Sequence, residues 1–206
     1  MMNFKKLQDM QAKLDEAILA DKAPMTAEER FNKTLVALSV EIAEVVNCAE
    51  HFKFWKDNKG KVDSDRFYCI PQTVREEELF GFKYVDLAEE LEGVLSFEQA
   101  HRLTLIEECS DALHFILSLA NQVSYKINEI GKYFEIADDV DSLERNVLFL
   151  NQVIGLADFN HFHSDLEMII DVFFIYVNQL GISQQELEQA YYDKNKINYD
   201  RLENGY

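Results

Sequence analysis

The chain holds little that breaks a helix. Among 206 residues there are only 2 Pro and 7 Gly. Both residues punctuate structure, so their scarcity argues against a turn-rich β fold and for long helices. Cysteine is sparse too. Cys48, Cys69 and Cys109 are odd in number and irregular in spacing, which yields neither a disulfide framework nor a zinc site. Positive charge is short: 20 Lys and Arg face 38 Asp and Glu, a formal net charge of −18. A nucleic-acid surface needs clustered Lys and Arg, so nucleic acid is not an expected partner. A small polyphosphate stays open, because divalent cations can stand between carboxylate and phosphate. Long apolar runs are missing as well. The run at 169–177 contains Asp171 and falls short of a membrane span. Residues 1–14 carry no apolar signal-peptide core. These absences set the expectation of a soluble, cytoplasmic protein with no membrane partner.

What is present is helical periodicity in a chain that is 48% hydrophobic. Leu7, Met10, Leu14 and Ile18 repeat at three- and four-residue spacing, which predicts a helix over 3–20. Thr26 with Glu29 forms a capping box before a stripe of Phe31, Leu35, Leu38, Ile42, Val45, Ala49 and Phe52, so a second helix is expected from there to about Trp55. Residues 57–73, with Gly60, Pro71 and mixed charge, read as loop. Residues 74–95 read as weakly helical, broken at Gly81. Ser96 with Gln99 opens a helix to about Val123. Residues 138–141 read as an acidic turn. Helices over 142–156 and 161–180 follow, and Ser183 with Glu186 opens a last one to about Arg201. The pattern is an all-α helical bundle, one domain over 1–206 with an insert at about 57–95.

Four constellations carry chemistry. Glu41 and Glu44 stand at i and i+3, flanking the apolar stripe of their helix. Such pairs are common on solvated faces. A second pair, Glu108 and Asp111, repeats the geometry beside Leu113 and Leu117. Two acidic pairs on two apolar helices offer an oxygen cage of the kind Mg²⁺ prefers. Phe52, Lys53, Phe54 and Trp55 follow the first pair. They read either as a core cap with a solvated lysine, or as an aromatic wall for a base with a cation near phosphates. Near the C-terminus, Lys194, Asn198 and Arg201 fall on one helix edge. That edge suits phosphate oxygens, or simply complements the helix dipole.

Taken together, these blocks resemble the dimeric dUTPase family. Glu41, Glu44 and Asn47, running into Lys53 and Trp55, look like its first metal motif. Glu107, Glu108, Asp111 and His114 look like the second. The stretch from Lys194 to Arg201 looks like its C-terminal phosphate motif, and Gln11 sits in a segment similar to its N-terminal helix. In outline the family is similar to the MazG-type all-α pyrophosphatases. The resemblance implies hydrolysis of dUTP, and of dUDP, to dUMP in a homodimer, with Mg²⁺ (Mn²⁺ as a substitute) on Glu41, Glu44, Glu108 and Asp111. It implies catalytic roles for Glu44 first and Glu41 second. It implies nucleotide contacts from Gln11, Lys53, Trp55, His114, Tyr191, Lys194, Asn195, Asn198 and Arg201. Cys48 and Glu50 depart from the family's pattern, where Glu and a basic residue are expected. The link over 56–106 is longer than the family's and reads as surface elaboration, lid or partner-binding patch.

Three alternatives stand beside this reading. One is a dCTPase or broader nucleoside triphosphate pyrophosphatase, since the base pocket is not legible. A ferritin-like di-iron site would need Glu-x-x-His twice, and the only near match is Asp111 with His114. A non-enzymatic helical protein would bind a partner through 56–106.

Overall fold

The computed structural model describes residues 2–20, 22–72, 81–87, 94–128 and 142–205. Among these, six helices dominate. They are α1 (Phe4–Leu19), α2 (Ala27–Ala49), α3 (Phe97–Gln122), α4 (Leu143–Leu156), α5 (Phe162–Gln179) and α6 (Gln184–Glu203). The fold is all-α. Each of α2, α3 and α6 begins at a complete capping box, formed by Thr26 with Glu29, Ser96 with Gln99 and Ser183 with Glu186. Each box satisfies two amide groups that a helix start would otherwise leave without partners.

The centre of the bundle is α3. It packs against α1, α2, α5 and α6, while α4 lies on α5 and α2. A helix enclosed on several sides must be apolar on several sides. Accordingly Ala112, Leu113, Ile116, Leu117, Leu119 and Ala120 are all without solvent exposure. Ile42 and Leu38 of α2 meet this core, as does Phe173 of α5. Full burial of one such Leu or Phe side chain contributes about 1.5–3 kcal/mol, so no single polar group governs the packing of α2 on α3.

Two expectations need correction. The second helix stops at Ala49, six residues short of Trp55, because Glu50 takes the left-handed conformation at φ 53° and closes it. The long link also holds strand: residues 57–66 are loop as expected, but two described stretches are neither loop nor weak helix. Residues Phe67–Gln72 (β1) and Gly81–Asp86 (β2) pair antiparallel, from Phe67 opposite Asp86 to Gln72 opposite Gly81. Tyr84 exchanges two further backbone hydrogen bonds with Leu95, at 2.8 and 2.9 Å. Pro71 suggested loop, but it lies on β1, which pairs on one side with β2 and is an edge strand among the described residues, where proline is tolerated. The acidic turn at 138–141 and the acidic runs at 76–78 and 89–90 lie outside the described residues. Among the described residues, no single helix is long and apolar enough to cross a membrane.

Candidate metal centre

The packing of α2 on α3 brings three carboxylates together. Glu41 of α2 and Glu108 and Asp111 of α3 each offer an oxygen, all within 4.8 Å of one another. All three are half-buried because each flanks a core residue: Glu41 precedes Ile42, and Glu108 and Asp111 bracket the fully buried Cys109. Like charges so close cannot all ionise freely. Burial, then the neighbouring acids Asp111, Glu44 and Glu108, push Glu41 up to about 7. Burial, then Asp111 and Glu44, push Glu108 up to about 7. Burial also raises Asp111, although Lys194 opposes it. A divalent cation relieves this repulsion, and an all-oxygen donor set suits hard cations. Glu44 is exposed and lies outside the group of three, yet its charge is felt by both glutamates.

A third helix supplies a cation. The Lys194 ammonium of α6 is 2.7 Å from Asp111 Oδ2 and donates to Glu107 Oε1 at 3.0 Å. Burial lowers the pKa of Lys194, but Asp111 and Glu107 hold it above the usual lysine value. The other oxygen of Glu107 accepts from Arg66 Nη1 at 2.7 Å. Burial would raise Glu107, yet Lys194 and then Arg66 keep it below the usual range. Farther along α6, Asn195 is buried, Asn198 half-buried and Arg201 exposed, and the charge of Arg201 reaches Asp111.

A polar network runs through the core beside this cluster. Gln11 Oε1 accepts from the Tyr191 hydroxyl at 3.0 Å and lies 2.7 Å from His114 Nδ1. An amide oxygen only accepts, so Nδ1 carries the imidazole hydrogen and Nε2 is left with its lone pair. Burial, then Lys194, pushes His114 down to about 3, so it stays neutral. Its ring stacks on Tyr191 at 4.1 Å. Gln11 in turn donates to Asp15 at 2.8 Å, and Asp15 accepts from Ser118 at 2.7 Å and Arg30 at 2.9 Å. Among the described residues, four buried side-chain atoms on α3 and α6 lack hydrogen-bond partners: Ser110 Oγ, His114 Nε2 and Gln122 Oε1 on α3, and Asn195 Nδ2 on α6. Each such atom costs about 1–3 kcal/mol while unmet, so a polar ligand meeting them would recover it. Sequence reasoning missed Ser110, Asp15 and Ser118. The signal was there: Ser110, His114, Ser118 and Gln122 form a polar line at four-residue spacing on an otherwise apolar helix.

Lys53 and Trp55 stand in the turn beyond α2. The buried Glu50 carboxylate accepts from Lys53 at 2.6 Å, from Lys56, and from the Gly60 amide at 3.0 Å. The acidic departure at position 50 therefore ties the turn together and engages Lys53. Gly60 has φ +107°, and a Cβ there would lie 2.8 Å from the His101 ring, so any other residue would strain the backbone and displace that ring. Trp55 is 64% exposed and meets Phe54 and Phe52 edge-on.

An acidic centre carried by facing helices, inside an all-α bundle, defines a helical protein with a candidate metal site, and the family match makes it a hydrolase. A family model described as dUTPase matches residues 3–68 and 95–206, so the chain belongs to the all-α dUTPase family, the enzymes that hydrolyse dUTP. Residues 69–94, which hold most of the hairpin, lie outside the match. No curated protein matches the chain.

Proposed function

We propose that this enzyme converts dUTP to dUMP and pyrophosphate, and dUDP to dUMP and phosphate, as one domain over 1–206 that works as a cytoplasmic homodimer. The observation that carries this reading is the convergence of Glu41, Glu108 and Asp111 with Lys194 only 2.7 Å from Asp111. The donor set fits Mg²⁺, with Mn²⁺ as a substitute: hard oxygens, close together, and raised in pKa until a cation offsets their repulsion. Glu41, Glu108 and Asp111 would hold it, with Glu44 at the exposed edge. When bound, Mg²⁺ neutralises phosphate oxygens and lowers the pKa of water.

The rest of the chemistry belongs to the side chains. Glu44, open to solvent beside the cluster, orients the attacking water and takes its proton, with Glu41 as the second choice for that role. Lys194 and Arg201 balance charge that develops on the phosphates. Asn195 and Asn198, one turn apart on the same helix, hydrogen-bond phosphate or sugar. The neutral His114, with Nε2 free to accept, faces an uncharged part of the nucleotide better than a phosphate. Gln11 and Tyr191 fix the orientation of its ring. Lys53 and Trp55 approach the nucleotide from the turn after α2.

The test is a nucleotide panel. Purified protein with Mg²⁺ is given dUTP, dUDP, dCTP, dTTP and dATP, and the products are separated by chromatography. Release of dUMP and pyrophosphate from dUTP, abolished by EDTA, is expected. Equal cleavage of several bases would move the assignment to a broader pyrophosphatase.

A further inference from the structure

An arginine links the segment outside the family match to the acidic centre. Arg66 lies at the foot of the hairpin. One edge of its guanidinium, Nε and Nη2, donates to the Asp86 carboxylate at 2.9–3.3 Å. The remaining Nη1 donates to Glu107 Oε2 at 2.7 Å. The Asp86 side chain has no solvent exposure, and its backbone is pinned by the ladder pair with Phe67. The next amide, Leu87, donates to the Arg66 carbonyl at 2.8 Å. A planar fork fixed on one edge presents its other edge in one direction only. Asp86 therefore aims Arg66 at Glu107.

Glu107 is shared between two cations, Arg66 on one oxygen and Lys194 on the other. Lys194 is itself shared between Glu107 and Asp111. Charges thus alternate from the hairpin to the acidic centre: Asp86, Arg66, Glu107, Lys194, Asp111. The balance at Glu107 decides how firmly the lysine is retained. With Arg66 in place, the charge on Glu107 is largely offset and Lys194 can turn toward an arriving anion. With Arg66 released, Glu107 is a half-buried anion balanced by the Lys194 ammonium without the guanidinium, and it holds that ammonium back.

We propose that Asp86 is a positioning residue for polyphosphate binding: by fixing Arg66 on Glu107 it sets how available Lys194 is to the substrate. This inference rests on the reading of Lys194 as a phosphate contact. It gives the hairpin a part in the reaction without any contact to substrate.

Asp86→Asn keeps the shape and removes the charge. In steady-state kinetics with dUTP and Mg²⁺, KM should rise about fivefold to tenfold while kcat stays within about twofold, the mark of lost binding and not of lost chemistry. Adding Glu107→Gln removes the anion that holds Lys194 back and should return KM to within about twofold of wild type. A lesion of folding alone would make the double variant worse than the single. An unchanged KM in Asp86→Asn, or a deeper loss on adding Glu107→Gln, overturns the proposal. Where Asp86→Asn does not fold, replacing residues 69–94 by a short flexible linker removes Asp86 instead. The same comparison with and without Glu107→Gln then decides. Lys194→Gln separates the two readings. If it leaves KM untouched, the role of the lysine fails. If it raises KM while Asp86→Asn does not, only the present inference fails.

Discussion

Glu44 differs from the other three acids in its exposure. Glu41, Glu108 and Asp111 are half-buried and crowd one another, so their free energy is tied to charge balance. Glu44 is exposed, and substituting it disturbs no packing. Glu44→Gln should therefore leave the thermal midpoint within about 2 °C of wild type, as surface changes usually do. The same variant should lower kcat by at least about 100-fold, the scale of a lost general base. A wild-type rate in Glu44→Gln would remove Glu44 from the mechanism. His114 makes the complementary point. Held neutral by burial and by Lys194, it cannot serve as an acid near neutral pH, and its Nε2 is equipped to accept a hydrogen bond.

At the scale of elements, helix starts were legible and one helix end was not. The three capping boxes were read directly from Thr26, Ser96 and Ser183, because their geometry is local. The end of α2 was missed because Glu50, in the left-handed region, replaces the glycine that usually marks such a stop. What holds Glu50 there is the set of donors from Lys53, Lys56 and Gly60, spread over ten residues of turn. Burial alone would raise the Glu50 pKa, but those donors pull it down to about 2. The folded value lies below the unfolded one, so the contribution is complete above about pH 4.5 and fades as the pH falls toward 2. Acid titration followed by circular dichroism should show Glu50→Gln losing less stability than wild type over that window, and being less stable by about 1–3 kcal/mol at pH 7. Equal acid sensitivity would deny Glu50 this role. Among candidate site residues, Glu41, Glu108 and Asp111 could be picked out because i, i+3 acids flank an apolar stripe, but the same pattern also picked out Glu44, which is exposed and outside the group of three. The bonds from Arg66 to Glu107 and from Ser118 to Asp15 could not be picked out. They join residues 41 and 103 positions apart and depend on how the elements cross.

For the whole molecule, the proposed cation site predicts a coupling between stability and divalent metal. Without a cation, the repulsion among three carboxylates opposes the packing of α2 on α3. A cation that binds only the folded chain adds about 2.7 kcal/mol at a hundredfold excess over its dissociation constant. Wild-type protein should therefore melt higher as Mg²⁺ is added. Glu108→Gln should melt higher than wild type in EDTA and respond little to Mg²⁺. If both proteins respond alike, the cluster does not hold the cation. The hairpin carries a further consequence for the whole chain. It leaves the path of the bundle at Arg66 and returns beside it, through the bonds of Leu87 to Arg66 and of Tyr84 to Leu95. A stretch whose two ends meet can enter or leave a gene in one event without any helix being moved to accommodate it. Selection would then act on whatever such a stretch touched, and this one touches an arginine that shares Glu107 with Lys194.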